Sequence, residues 1–307
     1  MLPDVALSTP PSHDLTQRQL HRALAKFNRA RMTPLRSAPD WASSLQSEYQ
    51  MRRIEHEYVQ SEALALRSWA GEAPSDPEQF VEWFEALTRV GPGQHDPLFP
   101  WLAEQATLEE LRWFLRQEMA GEAGFDDLLA LTQLKLPVRA KLELARNFWD
   151  EMGQGNEGGM HGPMLERLGK ALELEPPDDD IVWESLALSN LMVALAANRH
   201  YAYQSIGALG VIELTAPGRA AHVNRGLKRL GIAGDARRYY ALHATLDVKH
   251  SQAWNREVVK PLVVDDPRVA RLIAEGALMR LMAGARCFER YRRELLVHQA
   301  VPPLSAA

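Results

Sequence analysis

The stretch from Tyr239 to His250, YYALHATLDVKH, places His243, Asp247 and His250 at positions i, i+4 and i+7. A helix turns once in ~3.6 residues, so these three side chains fall within an arc of about 60° on one face. Two imidazoles and a carboxylate on one stripe form an N/N/O donor set for a transition metal. The stripe exists only if the segment is helical, and it becomes a site only if other segments bring further donors. The bland alternative is a helix whose two histidines are ordinary surface residues.

The 307 residues suffice for one large or two modest domains with a substantial core. A net charge of -5 argues against a broad basic surface for nucleic acid. Cys287 is the sole cysteine, which rules out a disulfide within the chain and a cysteine-ligated zinc or iron–sulfur site. A cytoplasmic location is the natural expectation. The N-terminal MLPDVALSTPPSHDLTQ lacks the basic and apolar regions of a secretory signal. The longest apolar run, Leu186 to Ala197, falls short of the ~20 residues needed to span a bilayer and reads as a buried core helix.

Helical periodicity recurs along the chain, and alternating strand patterns are absent. Residues 1–14 are rich in proline and serine and read as loose. Leu15 to Met32 reads as a basic amphipathic helix, and Pro34 to Pro39 as a break. Trp41 to Trp69 reads as one or two helices. Asp76-Pro77 supplies a cap and first-turn proline for the next. Thr107 and Glu110 form a capping box opening a helix expected to run to about Gln133. Pro137 starts another helix, which ends at Glu151 and Met152. Asp178 to Asp180 read as a cap, and the helix containing Ile206 to Ala216 is expected to end near Pro217. The expectation is an all-α protein with a helical-bundle core. Residues 1–100 are read as a loose N-terminus and accessory helices, and 101–300 as the bundle.

Carboxylates on otherwise apolar helices are costly to bury without a partner, so they are the ones to seek as further donors. Glu213 is the clearest, set in IGALGVIELTAP. It either ligates or pairs with an arginine such as Arg219 or Arg225. Glu151 and His161 flank the glycine-rich GQGNEGGMHG, which lets the chain bend so that both reach one ion. That segment has no phosphate-binding glycine motif. Glu118 and Glu122 lie one turn apart and share a face. At least one could point inward, or both could face solvent; where one first-helix ligand is needed Glu118 is preferred over Glu122, because the lengths from Glu118 to Gln133 and from Pro137 to Glu151 are nearly equal. In an antiparallel hairpin, Glu118 and Glu151 then stand at one height.

Taken together, Glu118 in FLRQEMAGE, Glu151 and His161 in EMGQGNEGGMH, Glu213 in VIELTAPGR, and His243, Asp247 and His250 in HATLDVKH resemble the heme-oxygenase-like diiron oxidases and oxygenases, also called iron-containing redox enzymes. The likeness covers about residues 107–290. The long separation of Glu151 from His161, and the additional His243, are similar to the subgroup of N-oxygenases acting on arginine-derived amines. The chain has no β-rich extension like the cupin domain those enzymes carry. The resemblance implies a heme-oxygenase-like bundle binding two Fe(II) per chain. One would be held by Glu118, Glu151 and His161, the other by Glu213, His243, Asp247 and His250. It also implies O2, a small organic substrate such as an amine or amino-acid derivative, and an external electron donor. No nucleic acid or membrane partner is expected, and a homodimer is compatible. Three other readings stand beside it: a cofactorless thiaminase-like relative, a heme oxygenase, and a helical binding or scaffold protein. The aromatic residues near these ligands, Trp113, Phe114, Phe125, Tyr201, Tyr203 and Tyr240, read mostly as core.

Overall fold

The computed structural model describes residues 17–34, 40–174 and 180–297. The loose N-terminal segment, the break after Pro34 and the acidic cap at Asp178 and Asp179 lie outside the described residues. Among the described residues the chain is all helical, with no strand. In order, the α-helices are α1 (Gln17–Met32), α2 (Trp41–Ala65), α3 (Arg67–Gly71), α4 (Pro77–Val90), α5 (Leu98–Glu104), α6 (Leu108–Gly121), α7 (Phe125–Thr132), α8 (Val138–Glu151), α9 (His161–Ala171), α10 (Trp183–Ala197), α11 (Ala202–Arg229), α12 (Arg238–Trp254), α13 (Lys260–Asp265) and α14 (Val269–Glu294). A π-turn, Asn255–Val259, joins α12 to α13. No helix among the described residues is long and apolar enough to cross a membrane.

The long α11 is the axis of the bundle, packed between α12 and α14. Three of its buried residues, Gly207, Ala208 and Gly210, are small. That lets neighbouring backbones come close. Helix α10 carries apolar residues on nearly every side and is correspondingly buried. Its one amide inside the core, Asn190, is satisfied from α1. The Asn28 side chain donates to Asn190 Oδ1 at 2.9 Å, and Asn190 Nδ2 donates to the His21 carbonyl at 2.9 Å. These bonds fix the N-terminal helix on the bundle, since a buried amide left unpaired would cost more than it gains.

The local signals at helix starts hold. Asp76 accepts from the amides of Glu78 and Gln79, and Thr107 with Glu110 forms the capping box. Two helix ends differ from the sequence expectation. The helix opened by Thr107 does not run to Gln133. It stops at Gly121, because Glu122 Oε1 accepts from the amides of Gly124 and Phe125 and opens α7 as a separate helix. The helix bearing Glu213 does not end near Pro217 but continues to Arg229. Proline removes one i→i−4 bond, here the one to the Glu213 carbonyl. Contacts with α12 and α14 on both sides outweigh that loss.

Candidate metal centre

The site is assembled where the last turn of α8 meets the first turn of α9, roofed by α11 and α12. The glycine segment between α8 and α9 closes tightly. Gly153 has a φ of +61°, and a Cβ there would stand 2.5 Å from the Gly159 carbonyl carbon. Only glycine tolerates both conditions. Met152 and Met160 pair as an isolated antiparallel bridge across this closure. Glu151 and His161 are thereby brought face to face, with His161 Nδ1 2.8 Å from Glu151 Oε2.

The α12 stripe turns toward them. His243, Asp247 and His250 are all buried. The Nδ1–H of His243 donates to the Tyr239 carbonyl one turn earlier, at 2.7 Å. That leaves Nε2 as the free nitrogen, 3.9 Å from Glu151 Oε2. His250 is anchored the other way round. Its Nε2 bonds Asp150 Oδ2 at 3.2 Å. Its Nδ1 points inward, 3.4 Å from Glu213 Oε2 and 3.9 Å from Glu151 Oε1. Glu213 is anchored too: Asn147 Nδ2 donates to Oε1 at 2.6 Å, and Oε2 faces His250. Each of these three side chains thus has one polar end tied outside the cluster and the other presented to it, the usual way a protein orients metal ligands.

Two groups with ligand atoms within 4.8 Å of one another result: Glu151, His161 and His243, and Glu151, Glu213 and His250. Glu151 belongs to both. Its Oε2 faces the first group and its Oε1 the second. The partition therefore differs from the sequence expectation, since His243 stands with Glu151 and His161. Asp247 lies beside the second group, and its Oδ1 is buried without a hydrogen-bond partner. The α6 carboxylates also separate. Glu122 Oε1 is 3.7 Å from His161 Nε2. Glu118 lies instead among Arg219, Arg280 and Tyr291. The hairpin-height argument for Glu118 rested on one continuous helix to Gln133, and the break at Glu122 removes that symmetry. Nor does Glu213 pair with Arg219 or Arg225, its neighbours being Asn147 and His250.

Several residues of the site carry no ligand-like signal in the sequence. Tyr239 sets its hydroxyl 3.2 Å from His161 Nε2, and its ring centroid lies 4.4 Å from that of His243. Asn147 was legible in principle, as a polar residue one turn before Glu151 on the same face of α8. Asp150, Arg219 and Arg280 were not. Of the aromatic residues, Phe125 and Tyr240 line the cavity above the cluster, while Phe114 and Tyr201 are packed in the core.

In the metal-free protein the cluster balances its charge with protons. Burial pushes the Asp247 carboxyl up, and the Glu213 charge beside it adds to this, to about 8. Burial opposes a charged His250, but its contact with Glu213 wins and raises it to about 9. Burial likewise opposes protonation of His161, and the carboxylates of Glu122 and Glu151 hold it well above the usual imidazole range. Each of these groups binds a proton in the folded state that the unfolded chain has released at pH 7 to 8. The contribution of His161 and His250 is therefore full below about pH 6.5, that of Asp247 declines already from about pH 4 upward, and stability of the metal-free protein from these groups falls as pH rises toward 8 and 9. A metal ion displaces the same protons, so its stabilisation grows over that range. The expected result is a metal-free melting temperature that drops between pH 6.5 and 9, with an Fe(II)-induced rise that widens. Melting curves of both forms, taken anaerobically, check it. A metal-free melting temperature that rises over this window would contradict the charge assignment.

The donor set fits iron: it offers carboxylate and imidazole, no thiolate, and inward-facing atoms, Asp247 Oδ1 and His250 Nδ1, that lack hydrogen bonds. No curated protein sequence matches the chain. Among solved structures, a CADD-like protein of unknown function from Nostoc punctiforme is similar in fold. It is 16% identical, with a TM-score of 0.53 over 73% of this chain and 98% of that one. Residues 112–285, which hold every residue of both groups, match the family described as iron-containing redox enzyme. That span is more than half of the chain, and its all-helical architecture is that of the heme-oxygenase-like fold; the chain belongs to the iron-containing redox enzyme family.

Proposed function

We propose that this protein is a non-heme diiron oxidase or oxygenase that uses O2 to oxidise a small organic substrate. The observation that carries the reading is the double placement of Glu151, one carboxylate oxygen toward each of two buried three-residue groups. One Fe(II) would be held by Glu151, His161 and His243, with Glu122, just past the end of α6, completing it. The other would be held by Glu151, Glu213 and His250, with Asp247 beside it. Iron held by these residues would supply the electrons for activating O2 next to a bound substrate.

The chain's own residues prepare that site. Asn147 and Asp150, both on α8, hold Glu213 and His250 in position from outside. The Tyr239 carbonyl selects the tautomer of His243 that leaves Nε2 unprotonated for a metal. Above the cluster a cavity of about 140 Å³ is lined by Phe125, Leu188, Met192, Ile212 and Tyr240. These apolar side chains form one wall of the cavity, opposite the carboxylates and histidines of the cluster. Electrons beyond those of the two ferrous ions come from an external donor.

The reading is tested by titrating metal-free protein with Fe(II) anaerobically, then admitting O2 and following the absorption spectrum. Two equivalents bound and O2 consumed are the expected result. Glu213→Ala removes a ligand of the second group only, so it is expected to retain one tightly bound equivalent and to lose O2 consumption. Wild-type protein that takes up no iron would return the cluster to a proton-balanced ion-pair network in a helical binding protein. A Glu213→Ala variant with two irons and normal O2 consumption would remove Glu213 from the ligand set.

A further inference from the structure

The cavity over the metal centre has a second charged pole, of opposite sign to the carboxylates. Arg219 from α11 and Arg280 from α14 both line it. Arg280 lies within the field of Arg219; both feel Glu118, Arg219 also feels Asp247, and Arg280 also feels Glu122. Among the described residues neither guanidinium makes a hydrogen bond or an ion pair within 4.0 Å, and Arg280 Nε is buried with no partner at all. Burial and the neighbouring Arg280 bring Arg219 down to about 10, so it stays charged at neutral pH. These carboxylates act on the pair from a distance, and a buried guanidinium whose N–H groups meet no acceptor costs stability unless an anion completes it. The guanidinium fork is suited to a planar carboxylate, which it can grip through two N–H groups.

We infer that Arg219 and Arg280 hold the acidic group of the substrate, a small organic carboxylate whose apolar body lies against Phe99, Leu188, Met192 and Ile212. The part of this inference that makes the acid a substrate rests on the proposed diiron reading; the anion site itself does not. Size narrows the class. A cavity of ~150 Å³ holds one benzene-sized molecule, and this one measures about 140 Å³. A single-ring acid or a short aliphatic acid fills a space of this size. With its acidic group on the arginines, the body of the acid extends toward Glu151, His161 and Asp247, which line the same cavity.

Benzoate and benzamide are close in shape and differ by one charge, so they serve as probes. Each is titrated calorimetrically into metal-free and into Fe(II)-loaded protein under anaerobic conditions. Benzoate is expected to bind both forms about tenfold or more tightly than benzamide. In Arg219→Met and Arg280→Met that preference collapses to about threefold or less, with the number of irons bound unchanged. If either variant fails to fold by circular dichroism, Glu118→Gln carries the test: removing the competing carboxylate is expected to tighten benzoate binding about threefold or more. Equal affinity for the two probes in both forms of the wild-type protein would overturn the proposal. So would a preference that requires iron and survives both methionine substitutions, because the acid would then sit on the metal. Benzoate selectivity in a protein that takes up no iron would uphold the anion site while defeating the diiron reading. Two bound irons without selectivity would do the reverse.

Discussion

Glu151→Gln is expected to lose stoichiometric binding of both Fe(II) ions, where Glu213→Ala loses one. The substitution keeps the shape of the side chain and a polar contact to His161, so the fold is preserved. It removes the one negative charge that both groups share. Glu151 Oε2 is 2.8 Å from His161 Nδ1, and its Oε1 is 3.9 Å from His250 Nδ1, so no neighbouring carboxylate can replace it on both sides. Residues that merely orient a ligand cost ~10–100-fold in metal affinity when replaced. A shared ligand should exceed the top of that range at each ion, roughly 100-fold or more. Asn147→Ala is the comparison, since its side chain donates to Glu213, a member of one group only, and the loss should stay within the lower range, confined to one ion. Anaerobic Fe(II) titration with metal analysis of the desalted protein reads all three variants. A Glu151→Gln protein that retained two equivalents would show that the ions do not share this residue.

The second large effect is structural and reaches the site through α11. A Cβ added at Gly207 would stand 1.8 Å from the Ile273 carbonyl oxygen on α14. Across the same crossing, a Cβ at Gly276 would stand 1.8 Å from the Gln204 carbonyl oxygen. Both obstacles are main chain, so no rotamer change relieves them. Glycine to alanine inside a helix gains ~1 kcal/mol of propensity. Overpacking costs ~1–3 kcal/mol and sometimes more, and a clash with backbone belongs at the top of that range or above it. The clash wins. Gly207→Ala is expected to destabilise by roughly 3 kcal/mol or more, seen as a fall in Tm of about 6 °C or more. Gly218 lies on the same helix, and a Cβ added there would meet nothing within 4 Å. Gly218→Ala is therefore expected to be neutral or to stabilise by up to about 1 kcal/mol. Glu213 rides on α11 between these two positions, so Gly207→Ala should also weaken the second iron. Thermal melts of the two variants side by side decide the matter: equal shifts would mean that close backbone contact is not what holds α11 against α14.

What the amino-acid sequence determined by itself is what short-range chemistry can determine. Helical periodicity made the whole chain legible as all-α, and the offsets between His243, Asp247 and His250 put them on one face whatever that face meets. Glu213 stood out as a candidate because a carboxylate among apolar neighbours needs a partner wherever it is buried. The caps at Asp76 and Thr107 are local hydrogen bonds, and they form as read. Choices that depend on how helices meet were not legible. Pro217 marks a helix end by local rules, yet packing on two sides carries α11 past it. Glu118 and Glu122 share a face of α6 by spacing, and only the turn closed by the Glu122 side chain sends one toward His161 and leaves the other with Arg219 and Arg280. The assignment of His243 to the side of Glu151 and His161 likewise followed from the rotation and height of α12 against α8 and α9. Those depend on the closure at Gly153 and on close crossings such as Gly210 of α11 against Trp254 of α12, interactions between residues far apart in the chain. Spacing along a helix fixes an angle about that helix. The distance from one helix to another, which decides whether two side chains can hold the same ion, exists only in the tertiary structure.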